Sequence, residues 1–219
     1  MICIPVIENN VVLMVEKANA ADSDLVELRL DYLDSFENLG AIKNILKPKI
    51  ATCMPKWEGG NFPGTEDERI EILLDVIDYC DMVTVELNTR KEFLDDVIEK
   101  AKDRGVKVIV AYHNFKLTPE KDEILEILRK EKESGADVAK VAFLGKNHLD
   151  VLNVLYCLAD NDLDIPIIAV SMGELGKITR VMALVFGSYL TYACAEKGKE
   201  SAPGQLTVED VKKILKILG

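Results

Sequence analysis

The sequence predicts a (β/α)8 barrel, on three observations. Short β-branched runs alternate with longer amphipathic segments from one end to the other. Eight such units fit into 219 residues, about 27 residues each and close to the lower limit for this architecture. No G-x-G-x-x-G follows the first strand, which weakens the doubly wound open sheet as an alternative.

Taken in order, strands are expected near Ile2–Pro5, Leu25–Leu30, Lys49–Cys53, Met82–Leu87, Val106–Tyr112, Asp137–Phe143, Ile165–Val170 and Ser188–Tyr192. Helix starts support the count. Thr65-x-x-Glu68 and Thr89-x-x-Glu92 have the spacing of capping boxes, Thr118-Pro119 puts proline at a first helical position, and Thr207 opens the last helix. Nothing marks a boundary: there is no low-complexity linker, charge block or internal repeat, so residues 1–219 are expected to form one domain.

Composition narrows the function classes. A formal charge of −11 supplies no basic face for nucleic acid, although a few converging cations could still bind a small anion. No apolar run reaches about 18 residues and the first residues carry no basic leader, so a cytoplasmic protein without membrane contact is expected. Cys3, Cys53, Cys80, Cys157 and Cys194 are scattered, with no C-x-x-C pair and no neighbouring histidine at ligand spacing. They read as reduced core residues and not as a metal site.

Catalytic groups of such a barrel sit at the C-terminal ends of its strands and in the loops that follow. Glu27, Arg29 and Asp31 end the second strand at period two, so they share one face while Leu28 and Leu30 share the other. If the leucines meet the helices, the charges enter the barrel, where they must pair with one another or with a ligand. The plainer alternative is an edge strand with a solvated face. Lys140 lies inside the apolar run Val138–Phe143, where desolvation would favour the neutral, nucleophilic amine. A lysine snorkelling from a strand end is the alternative there.

His113 closes the fifth strand, one strand before Lys140, and imidazole moves protons both ways near neutral pH. A structural histidine is the competing reading. His148, the only other histidine, falls at a helix start and reads as a surface residue. Ser171–Arg180 follows the seventh strand with two glycines and offers Arg180 to a carboxylate. Ser201–Gln205 lies before the last helix in a long loop, of a length more often functional and able to serve as a lid; plain turns are the alternative for both loops.

Glu-Leu-Arg-x-Asp at Glu27, Glu58-Gly59-Gly60, the strand-end His113 before Asn-Phe, the in-strand Lys140 and Ser-Ala-Pro-Gly-Gln at Ser201 occur in that order across nearly the whole chain. The conjunction resembles the type I 3-dehydroquinate dehydratases. The resemblance implies a metal-free and cofactor-free barrel, usually a homodimer, that dehydrates 3-dehydroquinate to 3-dehydroshikimate in the shikimate pathway through an imine. It implies Lys140 as the imine lysine, His113 as general acid/base and Glu58 as the group that orients it. Glu27, Arg29, Arg180, Ser201 and Gln205 then contact substrate.

Two positions depart from the family pattern. Met54 stands where an arginine is usual, leaving Lys56 as the nearest replacement cation, and Asn114 stands where many relatives have aspartate. Glu86, at the end of the fourth strand, is a second candidate for supporting His113. Two rivals share parts of this constellation. A class I aldolase also forms an imine on a barrel lysine but has no need of the Glu58–Gly60 and Ser201–Gln205 segments in these places. A non-catalytic sugar-acid binding barrel would keep Arg29 and Arg180 without needing Lys140 and His113.

Overall fold

All eight expected strands form and run parallel: β1 (Ile2–Val6), β2 (Leu25–Arg29), β3 (Lys49–Thr52), β4 (Met82–Glu86), β5 (Lys107–Asn114), β6 (Val138–Leu144), β7 (Ile167–Met172) and β8 (Thr191–Tyr192). The structure, a computed structural model, describes residues 1–218; Gly219 lies outside the described residues. The strand order β7-β6-β5-β4-β3-β2-β1-β8 curls into a nearly closed barrel with helices outside. At the seam between β7 and β8, the Tyr189 N–H donates to the Ile167 carbonyl at 2.8 Å. That seam is why β8 is shorter than the expected Ser188–Tyr192. Gly187, at a φ of 95°, reverses the chain, and Ser188 and Tyr189 are used to close the barrel before the ladder to β1 begins.

The helices are α1 (Val11–Ala20), α2 (Glu66–Val76), α3 (Lys91–Arg104), α4 (Lys121–Glu133), α5 (His148–Ala159), α6 (Thr179–Val185) and α7 (Val208–Leu218). After β2, 3-10 turns at Leu30–Tyr32 and Leu39–Asn44 take the place of an α-helix. The capping box at Thr65 is present, its hydroxyl accepting the Glu68 N–H at 3.3 Å and Glu68 accepting the Thr65 N–H at 2.7 Å. Thr207 likewise accepts the Asp210 N–H at 3.1 Å. The other two expected starts are not helix caps. α3 begins at Lys91, because the Thr89 hydroxyl accepts a bond from Arg69 at 2.9 Å instead. α4 begins at Lys121, while the Thr118 hydroxyl donates to the Leu144 carbonyl at 2.9 Å and ties its loop to β6. In both cases a long-range partner outbids the local one.

Period-two alternation divides every strand between two cores. Val26, Leu28, Ala51, Val83, Val85, Val108 and Val110 face the helices, as do Ala139, Val141 and Ala169. Cys3, Leu25, Ile50, Met82, Ile109, Val138, Ile168 and Leu190 fill the barrel near the N-terminal ends of the strands. Burying each of the larger of these side chains contributes about 1.5–3 kcal/mol. One step further along β2, β3, β4 and β6 the inward positions become the polar or charged Glu27, Thr52, Thr84 and Lys140, and the site begins there.

Candidate active site

Glu27 and Arg29 do point into the barrel, both nearly fully buried, while Leu28 and Leu30 pack outward. A solvated edge strand is therefore the wrong reading. Asp31 has left the strand for the following 3-10 turn, and its two oxygens take a fork from Arg29, Nε at 2.8 Å and Nη2 at 2.6 Å. Burial works against the charge on Arg29, but Asp31 and then Glu27 outweigh it and raise its pKa. Asp31 also accepts the Asn61 N–H at 3.0 Å, which fixes the loop after β3 to the same carboxylate.

Lys140 is buried with its amine inside the barrel, not snorkelling to a rim. The shell around it is not the purely apolar one its strand suggests. Nζ lies 3.5 Å from Glu27 Oε1 and 4.4 Å from the centre of the Tyr192 ring. Glu27 Oε1 in turn accepts the Tyr192 hydroxyl at 3.1 Å and the Thr52 hydroxyl at 3.2 Å. One carboxylate oxygen thus gathers three neighbours, so the amine has a fixed address.

His113 and Glu58, 55 residues apart, meet at 2.8 Å between Nδ1 and Oε2. The His113 main-chain N–H donates to the same Oε2 at 3.0 Å. Burial, followed by the nearby Glu86 charge, pushes Glu58 up to about 9. Burial, with Lys140 and Arg29 nearby, holds the imidazole well below the usual histidine range. Both directions are those of a pair without net charge. Oε2 already accepts the main-chain N–H, and if it accepts from the ring as well, the imidazole hydrogen is on Nδ1 and Nε2 is free to act as a base. The Phe115 ring stacks on the imidazole at 6.5 Å between centres.

Glu86 has a different partner. Arg69, wholly buried on α2, donates to it at 2.7 Å and also to the Cys53 carbonyl at 3.0 Å, Thr89 at 2.9 Å and Glu66 at 2.8 Å. Of the two glutamates considered for His113, Glu58 makes the contact. Glu86, pushed up to about 7 chiefly by burial against the opposing pull of Arg69, acts on that pair through its charge.

Arg180 forms the opposite wall. It is almost fully buried, its Nε has no partner among the described residues, and burial takes its pKa down to about 10. A desolvated guanidinium with an unused donor is suited to an anion arriving from outside. Above it, Gln205 accepts the Ser201 N–H at 2.9 Å and donates to the Ser201 hydroxyl at 2.7 Å. The Ser201–Gln205 loop is seated, since the Pro203 carbonyl accepts from the Gly173 N–H at 3.1 Å and from Arg180 at 3.3 Å. Gly204, at a φ of 78°, makes that approach possible: a Cβ there would stand 2.2 Å from the Gly173 carbonyl oxygen.

One pocket is lined by Glu27, Arg29, His113, Lys140 and Arg180 with Ser201, Ala202 and Gln205 over it, and Glu58 stands behind His113. Of the residues expected to react or to contact substrate, Glu27, Arg29, His113, Lys140, Arg180, Ser201 and Gln205 line this pocket, and Glu58 reaches it through His113. Met54 lines the pocket as well, whereas Lys56 is exposed and does not line it, so Lys56 does not supply a replacement cation at that wall. Asn114 turns away from the chemistry, its side-chain oxygen accepting the N–H groups of Lys116 and Leu117. His148 is exposed at the start of α5, and all five cysteines are free and buried.

Sequence reasoning missed Tyr192 and Arg69. Tyr192 could have been found as the inward residue at the C-terminal end of a strand already located. Arg69 lies in register with Leu73 and Val76, a charge on the buried stripe of an amphipathic helix.

Comparison with known proteins adds an independent line. The sequence profile of the family described as type I 3-dehydroquinase matches residues 2–219. The 3-dehydroquinate dehydratase of Methanococcus maripaludis is 40% identical, over 100% of both chains. Among solved structures, the 3-dehydroquinate dehydratase of Geobacillus kaustophilus superposes with a TM-score of 0.92 at 31% identity, covering 99% of this chain and 90% of that one. The type I enzyme of Clostridium difficile, solved with covalently modified comenic acid, gives 0.89 at 32% identity, covering 99% and 91%.

Proposed function

Since the chain belongs to the type I 3-dehydroquinase family, we propose that it is a hydro-lyase converting 3-dehydroquinate to 3-dehydroshikimate and water, as a step of the shikimate pathway, through an imine on Lys140. The observation that carries the reading is the placing of two reactive groups in one pocket: a buried amine held by Glu27 and Tyr192, and an imidazole whose free nitrogen is set by Glu58.

The chemistry follows from those positions. The Lys140 amine adds to the substrate ketone and the carbinolamine loses water, giving a protonated imine. That cation withdraws electrons from the adjacent carbon, so the neutral Nε2 of His113 can take its proton. The electron pair then expels the hydroxyl one carbon further on. The imidazolium returns its proton to that leaving group as water, and a second water hydrolyses the imine to free product and amine. Glu58 keeps the proton-accepting nitrogen turned inward throughout, by holding both the ring and its main chain. Arg180 binds the carboxylate, and Ser201 and Gln205 close over the ring with Glu27 and Arg29 below. With Met54 at the remaining wall, the carboxylate relies on Arg180 for its charge partner.

Residues 1–219 work as one catalytic domain that needs no cofactor or metal. A homodimer is supported by the apolar side chains exposed on adjoining helices, Leu149, Leu152 and Tyr156 of α5 and Ile178, Val185 and Phe186 around α6. A cytoplasmic location is supported by five buried free cysteines; no helix among the described residues is long and apolar enough to cross a membrane.

The test is turnover. Purified protein mixed with 3-dehydroquinate should produce the conjugated enone of the product, followed by its ultraviolet absorbance, and Lys140→Ala should not. Binding without turnover by the unaltered protein would favour the sugar-acid binding barrel instead.

A further inference from the structure

α4 carries its buried face on Ile124, Leu128 and Glu131, spaced by four and three residues, and all three are wholly inaccessible. The first two are the apolar residues an outer helix of a barrel needs there. The third is a carboxyl group in a position whose periodicity asks for leucine or methionine. Its Oε2 accepts the main-chain N–H of Lys140 at 2.9 Å, and its Oε1 has no partner among the described residues. Burial holds its pKa well above the usual carboxylate range, with the bond from Lys140 pulling the other way. An apolar side chain would fill this place without that penalty.

We propose that Glu131 is a positioning residue for the reaction, fixing the main chain of Lys140 from outside the barrel while Glu27 and Tyr192 hold its amine from inside. The inference rests on Lys140 being the reacting amine. Lys140 changes bonding partner several times in one turnover: it leaves Glu27, bonds to substrate carbon, and is released. Through those changes the amine is tethered to the protein only by its own four-carbon chain, so the placing of Cα decides where Nζ can reach. A strand residue held from the helix side keeps that origin fixed when the contacts inside the barrel are broken. Small displacements of a reacting group are costly, on the order of 100-fold in rate for 1 Å. The role is distinct from that of Glu58, which acts on His113, and Glu131 does not line the pocket.

The experiment compares Glu131→Gln and Glu131→Met. Glutamine keeps an acceptor oxygen at the same reach; methionine keeps volume and burial and removes the acceptor. The expected result for Met is a fall in kcat on the order of 10- to 100-fold with KM within about threefold, and slower borohydride trapping of the Lys140 adduct. Gln should restore kcat to within about threefold of the unaltered protein. The KM-against-kcat split and rescue by Gln are what a merely space-filling role would not produce, since the Met variant would then melt earlier yet turn over normally per folded molecule. Should the Met variant not fold, Glu131→Asp takes its place, because it withdraws the carboxyl by one methylene while keeping its chemistry, and it should lose kcat where Gln does not. Unchanged kcat in Met (or Asp), or equal damage in Gln, overturns the inference. If the unaltered protein traps no adduct at Lys140, the imine reading itself fails, and the two failures are told apart by that control.

Discussion

The two ends of the barrel interior are made by the same eight strands from opposite chemistry. Toward the N-terminal ends the inward positions are Cys3, Leu25, Ile50, Met82, Ile109, Val138, Ile168 and Leu190. Two residues further along β2, β3, β4 and β6 they become Glu27, Thr52, Thr84 and Lys140, and beyond those Arg29, Glu86 and His113. The lower layer is close-packed apolar matter and holds the barrel together. The upper one gathers buried charges, most of them paired against the cost of desolvation, Arg29 with Asp31, Lys140 with Glu27 and Arg69 with Glu86, while Arg180 keeps its Nε without a partner among the described residues. A single period-two step separates stability from reactivity, so substitutions one step apart on the same strand should have effects of different kinds.

The largest expected effect is in the upper layer. Lys140→Met, which extends the chemistry of the floor upward, should lower turnover on the order of 10⁴-fold or more while circular dichroism shows the fold retained. His113→Ala should cost about 10²–10⁴-fold in kcat, yet substrate should still be trapped on Lys140 by reduction, because imine formation precedes the proton transfer assigned to His113. Arg180→Ala should raise KM about 10- to 100-fold, the worth of a charge-assisted bond to a carboxylate, in steady-state assays. In the lower layer, Ile109→Ala should remove about 2–5 kcal/mol of stability, measured by urea titration, and leave kcat per folded molecule within about threefold. Activity lost without stability in the floor, or the reverse in the roof, would dissolve the contrast.

The smallest effect concerns pH. The imidazole must be neutral to accept a proton, and its pKa is held down by burial, Lys140 and Arg29. Raising acidity therefore protonates it later than an exposed histidine. The acid limb of kcat, which reads the complex in which Lys140 is already bonded to substrate carbon, should fall below the ordinary histidine value of about 6.5, and a limb of kcat above that value would remove His113 as the base.

How much of this could be read beforehand follows the same division. The strands were legible because β-branched runs repeat at barrel spacing, and Glu27, Arg29 and Lys140 were legible because charge inside an apolar run is conspicuous. What stayed hidden depends on partners distant in sequence. Thr89 has the local signature of a cap, yet Arg69 takes its hydroxyl, and the choice between Glu58 and Glu86 as support for His113 turns on which helix delivers a guanidinium. Lys140 was expected in an apolar shell, and the Tyr192 ring and Glu27 surround it instead. That Met54 stands where the resembling family usually has an arginine is legible in the sequence, whereas the exposure of Lys56 is decided by how one short loop turns.

If Lys140 carries the reaction as an imine, intact-mass analysis after borohydride treatment, with and without 3-dehydroquinate and followed by peptide mapping, will show a substrate-dependent mass increase confined to the peptide containing Lys140. Folded protein that gains no mass, or gains it on another lysine, would rule out an imine on Lys140.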